Sequence, residues 1–512
     1  MHQPNSRSRP ASTSLIIVLA TMGLTWYGSF LFSGRSMGHP IAFTFLCIAE
    51  IIAMLELLGV WITLLIAPDT AEPLTVSTYR QALERIPPAQ IPDSLVAVLV
   101  PVAGEPLAVI RQTVMAARDL DIRHRTVVLD DGNDDNVRTL SQDLGVEYLR
   151  RGTRKAGKAG NINAGLERVH TEFFAIFDSD QVPDRSFLVE TLPHLLADKG
   201  MAFVQTPQYY GNTDGYLSGG CAEIQEVFYH HIQNAKNAFN AAFCVGTNVL
   251  FRRSAIDGIG GLYERSHSED IWTSILLHEG GWRSVFLPRV LAIGRAPETV
   301  GSLLRQQFRW ARGGLEILFL RNPLRQRLTF DQQWQYLHTS LYYLSGIAVF
   351  LYFLLPLLYA YLGWRPIRTD AAMLWVTRFV PYYGMALFTT VYLLGHWPRW
   401  RSFVIALSVF PTHIAALISV LTGINLRWSV TGVIRNRTDY VTAVAPQIIL
   451  LLLSLGGIPL VLIRSEPLFL RVVVVACLLF NIAILFSFTR QAFPRAVSLG
   501  HARMPGTVPI TS

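Results

Sequence analysis

The sequence predicts a doubly wound α/β domain inserted into a bundle of membrane helices, and three observations carry that prediction. Short apolar runs alternate with helical patterns between residues 94 and 320, and the runs end in acidic turns. Apolar stretches long enough to cross a bilayer lie on both sides of that segment. Finally, 51% of the 512 residues are hydrophobic and only 16% charged, with a mean hydropathy of +0.33, a balance that describes an integral membrane protein.

The chain opens with Leu15 to Phe32 and Ile41 to Ala67, each able to span the roughly 30 Å hydrocarbon layer as a helix. Arg7 and Arg9 before the first run look like the start of a signal peptide, but no small-residue cleavage pattern follows and a second apolar run comes at once. Residues 1–67 are therefore expected to form an N-terminal transmembrane hairpin. Glu50 and Glu56 lie in its second helix, and an intramembrane carboxylate faces a partner or a polar pathway because lipid exposure is costly. The pair can line a channel; for Glu50 the alternative is that this over-long span tilts and leaves it among the headgroups. From Asp69 to about Pro92 a polar, Pro-containing composition reads as a linker.

Leu95 to Pro101 is a buried-strand run that leads into a Pro-Val-Ala-Gly-Glu-Pro turn, and a helical pattern follows through Ile110 to Leu120. Thr126 to Leu129 is a second strand run, closed by Asp130-Asp131-Gly132, and Phe173 to Phe177 a third, closed by Asp178-Ser179-Asp180. Doubly wound sheets collect ligands at the carboxyl ends of their strands, so these carboxylates are expected on one edge.

In residues 321–490, Tyr336 to Leu362, Phe379 to Leu394, Val444 to Ile463 and Leu468 to Phe488 read as membrane helices. Ser402 to Gly423 is apolar but contains Pro411 and His413. If it crossed, Arg427, Arg435 and Arg437 would face outside, against the preference for basic loops in the cytoplasm, so an interfacial or re-entrant segment is expected. Six crossings then place both termini, the α/β domain and the short tail 491–512 in the cytoplasm; a seventh would invert everything after it.

A net charge of +8 could signal nucleic acid, yet no basic low-complexity tail or nucleic-acid motif is present, and the arginines cluster beside apolar spans. The charge reads as topology plus an anionic substrate. Cys47, Cys221, Cys244 and Cys477 are scattered without metal-ligand or disulfide spacing and read as packing residues.

The Asp178-Ser179-Asp180 turn offers two hard oxygen ligands on one loop, and Mg²⁺ or Mn²⁺ typically binds through few carboxylates plus substrate phosphates. Between the acidic turns, Lys155, Lys158, Asn161 and Asn163 punctuate a Gly-containing segment whose cations and amides could grip a diphosphate and sugar hydroxyls. Ser268-Glu269-Asp270 opens a further helix. There the residues admit two readings: Ser268 caps free amides while the acids complement the helix dipole, or one acid is a general base for an acceptor hydroxyl. At the seam with the membrane, Gln306-Gln307-Phe308-Arg309-Trp310 joins a forked cation to a flat ring, suited to a leaving group and a sugar acceptor. The other reading closes a helix against the bilayer, where Trp is common.

In order, Asp130-Asp131, Lys158-Ala159-Gly160-Asn161, Asp178-Ser179-Asp180, Gly246-Thr247-Asn248, Ser268-Glu269-Asp270 and Gln306-x-x-Arg309-Trp310, bracketed by membrane helices, resemble the processive family 2 glycosyltransferases, which include bacterial cellulose synthase catalytic subunits and makers of other β-glycans. The resemblance implies a GT-A fold with a mixed sheet for residues 94–320 and a nucleotide-sugar donor, usually a UDP-sugar. It implies that Asp131 recognises the nucleotide beside Asp130, that Asp178 and Asp180 hold the metal, and that Asp270, assisted by Glu269, is the base. Arg309 would bind the diphosphate, with Glu105, Lys158 and Asn161 also on the donor side. Gln306 and Trp310 would form the acceptor floor, near Gly246 and Thr247.

Trp428-Ser429-Val430-Thr431 resembles the gating loop of cellulose synthases, which closes over the nucleotide. Its lysine position is Val433 here, so Arg435 or Arg437 would supply the cation beside Thr431. The strand motif has Ala103 and Gly104 where an aromatic and an Asn usually precede Glu105-Pro106, Ser268 replaces Thr, and His267 is read as a supporting partner of Asp270 or an exposed loop residue. The short tail after Phe488 leads us to expect no cyclic-dinucleotide-binding barrel. The family reading is thus a processive, inverting β-glycan synthase of the bacterial inner membrane, using UDP-glucose and passing its polymer outward. Other donors such as GDP-mannose or UDP-N-acetylglucosamine, transfer to a lipid, and a nucleotide-sensing transporter are the alternatives. Sugar, linkage, oligomeric state and any periplasmic or accessory subunit stay open.

Overall fold

The computed structural model describes residues 11–66, 74–87, 90–394, 397–424 and 442–493. Its strands are β1 (Val96–Val102), β2 (Arg125–Asp130), β3 (Glu147–Arg150), β4 (Phe173–Ile176), β5 (Val182–Pro183), β6 (Met201–Gln205), β7 (Tyr209–Tyr210), β8 (Val249–Arg252), β9 (Arg283–Phe286) and β10 (Ala292–Gly294). Seven form one sheet in the order β3-β2-β1-β4-β8-β6-β9, and β5-β10-β7 form a small second sheet. Strands β3, β2, β1 and β4 are mutually parallel, whereas β8 runs antiparallel to both β4 and β6. The sheet is therefore mixed, as expected.

Helices α1 (Ala11–Leu31), α2 (Pro40–Ile66) and α3 (Leu74–Arg85) precede the sheet. Interleaved with it are α4 (Leu107–Arg118), α5 (Asp135–Asp143), α6 (Gly157–Leu166), α7 (Phe187–Ala197), α8 (Tyr216–Val227), α9 (Asn234–Lys236), α10 (Arg253–Gly258) and α11 (Glu269–Glu279). After it come α12 (Val300–Leu320), α13 (Phe330–Leu341), α14 (Ser345–Leu362), α15 (Ala372–Leu394), α16 (Trp400–Ser408), α17 (Phe410–Thr422), α18 (Ala445–Ile463) and α19 (Leu468–Thr489).

Every residue of β1 is buried, which explains its unbroken apolar sequence. Alternate side chains serve opposite layers: Val96, Val98 and Val100 pack with Ile110 of α4 and Leu192 of α7, and Ala97 and Leu99 with Ile162 of α6 and Leu277 of α11. Helices on both faces leave only the ends of the strands to receive a ligand. Register places Val102 of β1 opposite Asp130 of β2, and Val249 of β8 opposite Ile176 of β4. The turns after β1, β2 and β4 and the segment before β8 therefore meet at one edge.

Among the described residues, six helical runs are long and apolar enough to cross a membrane: Thr13–Leu31, Pro40–Leu65, Phe330–Leu362, Trp400–Thr422, Ala445–Ile463 and Leu468–Thr489. The expected span at Phe379 to Leu394 lies within α15, which packs along α1 with Tyr27 stacked on Tyr382 at 5.2 Å; Arg378 and the central tyrosines lower its hydropathy. The segment Ser402 to Gly423 is bent at Val409 into α16 and α17, which lie against α8 and α12 of the α/β part. They also pack against α14 and α19, and Trp400–Thr422 is long and apolar enough to cross, so the packing alone does not make it interfacial.

Three readings differ from the structure. The polar stretch read as a linker contains α3, an amphipathic helix that buries Val76 and Leu83 and packs on α7; its period was hidden among prolines. Glu50 does not reach the headgroups: it is fully buried, with Tyr27 donating to Oε1 at 3.2 Å and Tyr383 to Oε2 at 3.4 Å. Gln306 to Trp310 closes no helix, because α12 continues ten residues beyond to Leu320.

Candidate active site at the sheet edge

Lys158, in the first turn of α6, is where the separated motifs meet. Its ammonium donates to Asp178 Oδ1 and, at 2.7 Å, to the Gly246 carbonyl. Gly246 has φ +85°, and a Cβ there would sit 3.3 Å from Asp270 Oδ2 and 3.5 Å from Lys158 Nζ. Only glycine leaves that space open between acid and ammonium without backbone strain. Burial alone would lower the Lys158 pKa, but Asp178, Glu269 and Asp270 more than offset it and hold the ammonium above its ordinary value. Three acidic positions, one from the turn after β4 and two from α11, thus surround one cation.

Asp270 and Glu269 occupy the first turn of α11. Burial, and then the charge of Glu269, push the Asp270 carboxyl up to about 7. Ser268 is at the N-cap position but makes no side-chain capping bond, so the capping reading fails for its hydroxyl; Asp270 Oδ1 accepts from the Ile271 amide at 2.8 Å instead. Asp180 is raised to about 6 by burial and then by Asp178, with Glu105 adding to the effect. Among the described residues no group of three or more His, Cys, Asp or Glu side chains is arranged as a metal cage. Asp178 and Asp180, on the turn after β4, would still suit an ion that takes most of its ligands from a diphosphate and water.

The Asp130-Asp131 pair divides its labour. Asp130 is fully buried and accepts from the Gly132 amide at 2.6 Å, the Asp134 amide at 3.0 Å and Tyr148 at 2.6 Å, so it folds the turn. Asp131 faces Arg151 in a two-pronged pair at 2.5 and 2.6 Å. Arg151 also donates to the carbonyls of Lys155 at 2.6 Å and Gly157 at 3.0 Å, tying the turn after β2 to the start of α6. The sequence reading missed Arg151; a basic pair at the end of a strand that follows the Asp130-Asp131 turn was the available signal. Asn161 gives its amide to the Leu129 carbonyl at 2.8 Å and is buried, which locks α6 to β2. Thr247 Oγ1 accepts from the Asp178 amide at 2.8 Å.

Helix α12 brings the last motif to the same region. Gln306 hydrogen-bonds Tyr210, Trp310 is half-buried, and Arg309 is exposed, with no hydrogen bond or ion pair to a described residue. Gly313 seats the acid turn: a Cβ there would lie 1.7 Å from Ser268 Oγ and 2.4 Å from Ser268 Cβ. His267 supports no contact to Asp270. Half-exposed, its ring faces Glu316 of α12, with Nδ1 3.3 Å from Oε1. Glu105 Oε2 accepts from the Ala103 amide at 2.7 Å. Thr431 and Arg435, with Arg437, lie outside the described residues.

A mixed α/β sheet with an acidic edge centred on a lysine, joined to helices long and apolar enough to cross a membrane, defines the class of this protein. The family model described as "Glycosyl transferase family group 2" matches residues 173–488, and the chain belongs to that family. It is 34% identical over 259 residues to the cellulose synthase catalytic subunit [UDP-forming] of Xanthomonas axonopodis pv. citri (strain 306), covering 49% of this chain and 36% of that protein. With the corresponding subunit of Pseudomonas fluorescens (strain SBW25) it shares 29% over 378 residues, 70% of this chain and 51% of the relative. Cellulose synthase 1 of Komagataeibacter xylinus is 28% identical over 474 residues, 89% of this chain and 30% of that one. The chain thus spans about half or less of the length of these relatives. Among solved structures, a mannosyltransferase from Pyrobaculum calidifontis in complex with GDP-Man and Mn²⁺ superposes with a TM-score of 0.48 at 16% identity, covering 74% of this chain and 99% of that one.

Proposed function

We propose that the chain is a processive, inverting glycosyltransferase that polymerises a nucleotide sugar, UDP-glucose, into a β-glucan and passes it through its own membrane helices. The observation that carries this reading is the convergence on Lys158 of Asp178, the Gly246 carbonyl and Asp270. Relatives named as UDP-forming cellulose synthases support the donor and the product class. The relatives' bacterial origin and the basic loops beside the spans support an inner-membrane site with the α/β part in the cytoplasm.

In this reading Asp270 takes the proton of the acceptor hydroxyl as its oxygen attacks the anomeric carbon, the bond to the diphosphate breaks, and the configuration inverts. A carboxyl raised toward neutrality suits that task, because proton transfer works best when the base pKa lies near the working pH. Glu269 keeps it raised. Asp178 and Asp180 would hold Mg²⁺ or Mn²⁺, which when bound neutralises charge on the leaving diphosphate. Lys158 and exposed Arg309 bind the same diphosphate from the protein side, Asp131 and Glu105 orient the nucleotide, and Asn161 holds α6 in place beneath them. Gln306, Trp310, Gly246 and Thr247 form the acceptor side, and Thr431 and Arg435 would bind the nucleotide sugar.

The test is product analysis: purified protein in lipid vesicles, Mg²⁺ or Mn²⁺, and a panel of radiolabelled nucleotide sugars, followed by linkage-specific glucanases. A long glucan from UDP-glucose is expected. Polymer from a different donor would replace the sugar, and single-sugar transfer to lipid would replace processive synthesis.

A further inference from the structure

Glu316 lies in the second half of α12, seven residues beyond Arg309, and the roles above give it no task. It is only 8% exposed. A carboxylate placed there costs free energy unless it is paired and hydrogen-bonded, and its partners show what it is paired with. Oε1 accepts from Arg312 Nε at 3.1 Å and faces His267 Nδ1 at 3.3 Å; Oε2 accepts from Ser266 Oγ at 2.7 Å and from the His267 amide at 3.5 Å. These bonds from the 266–268 turn more than offset its burial and hold the carboxyl below its ordinary value. Ser266 Oγ in turn accepts from the Ser268 amide at 3.2 Å, and Ser268 rests on Gly313. So the residues that lead directly into Glu269 and Asp270 are pinned to α12 by one anion.

We infer that Glu316 is a positioning residue for the acid pair. With His267 it fixes the 266–268 turn to the helix that carries Gln306, Arg309 and Trp310, so that the base and the acceptor-side and diphosphate-side groups keep one geometry. Arg312 completes the clamp by neutralising Glu316 one turn away on the same helix. This rests on Asp270 being the base. The contact matters because it adds to the seating of Ser268 on Gly313 a polar clamp on Ser266 and His267, the half-exposed part of the turn.

The test uses the full chain in lipid vesicles as wild type, E316A and E316Q. Steady-state transfer from UDP-glucose, UDP affinity by calorimetry and amide hydrogen exchange are measured on each. E316A is expected to lower kcat about 10- to 100-fold, the scale of a small misplacement at a reacting centre, with KM for the donor and UDP affinity unchanged. Exchange should accelerate over residues 266–272 and not in β1. E316Q keeps an acceptor for Ser266 and a polar partner for His267, and should recover most of the lost rate. Wild-type kcat in E316A, or unchanged exchange over 266–272, overturns the inference. So does a loss of rate matched by equal losses of UDP affinity and β1 protection, which is a folding defect. If the wild type itself transfers no sugar from any donor, the proposed function fails and the inference falls with it.

Discussion

Gly313→Ala is the sharpest single perturbation of this site. Adding a methyl inside a helix normally helps by about 1 kcal/mol, because glycine has the greater backbone freedom to lose. At this position the new Cβ would stand 1.7 Å from Ser268 Oγ, 2.4 Å from Ser268 Cβ and 3.0 Å from the Ser268 amide nitrogen. Rotating the hydroxyl away removes the first clash and leaves the others. Ordinary carbon contact needs about 3.5 Å, so the Ser268 turn and α12 must separate by roughly 1 Å. Overpacking of that kind costs about 1–3 kcal/mol, which the helix gain partly cancels, leaving a net loss of up to about 2 kcal/mol. The displacement falls on the two residues before Asp270, and a 1 Å error at a reacting group can cost about 10²-fold in rate. Activity should therefore fall far more than the melting temperature. Gly258→Ala is the control: it is in α10, has no left-handed φ, and its Cβ would meet nothing within 4 Å. It should leave turnover unchanged and gain up to about 1 kcal/mol. Thermal melts and UDP-glucose turnover on both variants decide the matter. A Gly313→Ala enzyme that works at the wild-type rate and melts like Gly258→Ala would refute the seating of the acid turn on α12.

Further outcomes follow from the same geometry. Asp270→Asn should cut sugar transfer by about 10²- to 10⁴-fold while calorimetry finds UDP binding intact; retained transfer would remove Asp270 as the base. Because burial and Glu269 raise the Asp270 carboxyl to about 7, and the base works only when ionised, kcat should rise with pH through the neutral range; a limb centred below pH 5 would mean that Asp270 ionises normally. Arg151→Ala frees Asp131 from its two-pronged pair and unties Lys155 and Gly157, so UDP affinity should change while the β1 core keeps its exchange protection. Asn161→Ala strips the Leu129 carbonyl of its donor and should cost about 1–3 kcal/mol of stability, read by denaturant melts.

Much of the architecture was legible because it is written in local patterns. The run Val96 to Val102 is apolar throughout, and a strand covered on both faces has no reason to be otherwise. The membrane helices announce themselves by length. Acidic turns after β2 and β4 could be assigned to one edge because parallel neighbours end together. What escaped was whatever depends on a partner distant in sequence. Arg151 looks like any surface arginine until Asp131 is seen opposite it. Glu316 reads as a lone acid in an apolar stretch, and only the fold supplies Ser266 and His267. His267 was read as a partner of Asp270, three residues away, or as an exposed loop residue; it is half-exposed, and the backbone turns its ring to Glu316 of α12.

By itself, then, the sequence determined the class of this protein: strand and helix periods, span lengths and the order of six motifs are one-dimensional properties that survive without coordinates. The tertiary structure decided which partners each carboxylate meets. Asp130 and Asp131 are neighbours of the same chemistry, yet one folds a turn and the other meets Arg151. The physical reason is that the fate of a charge depends on burial and on the nearest opposite charge, and both are set by segments that meet only when the sheet is assembled.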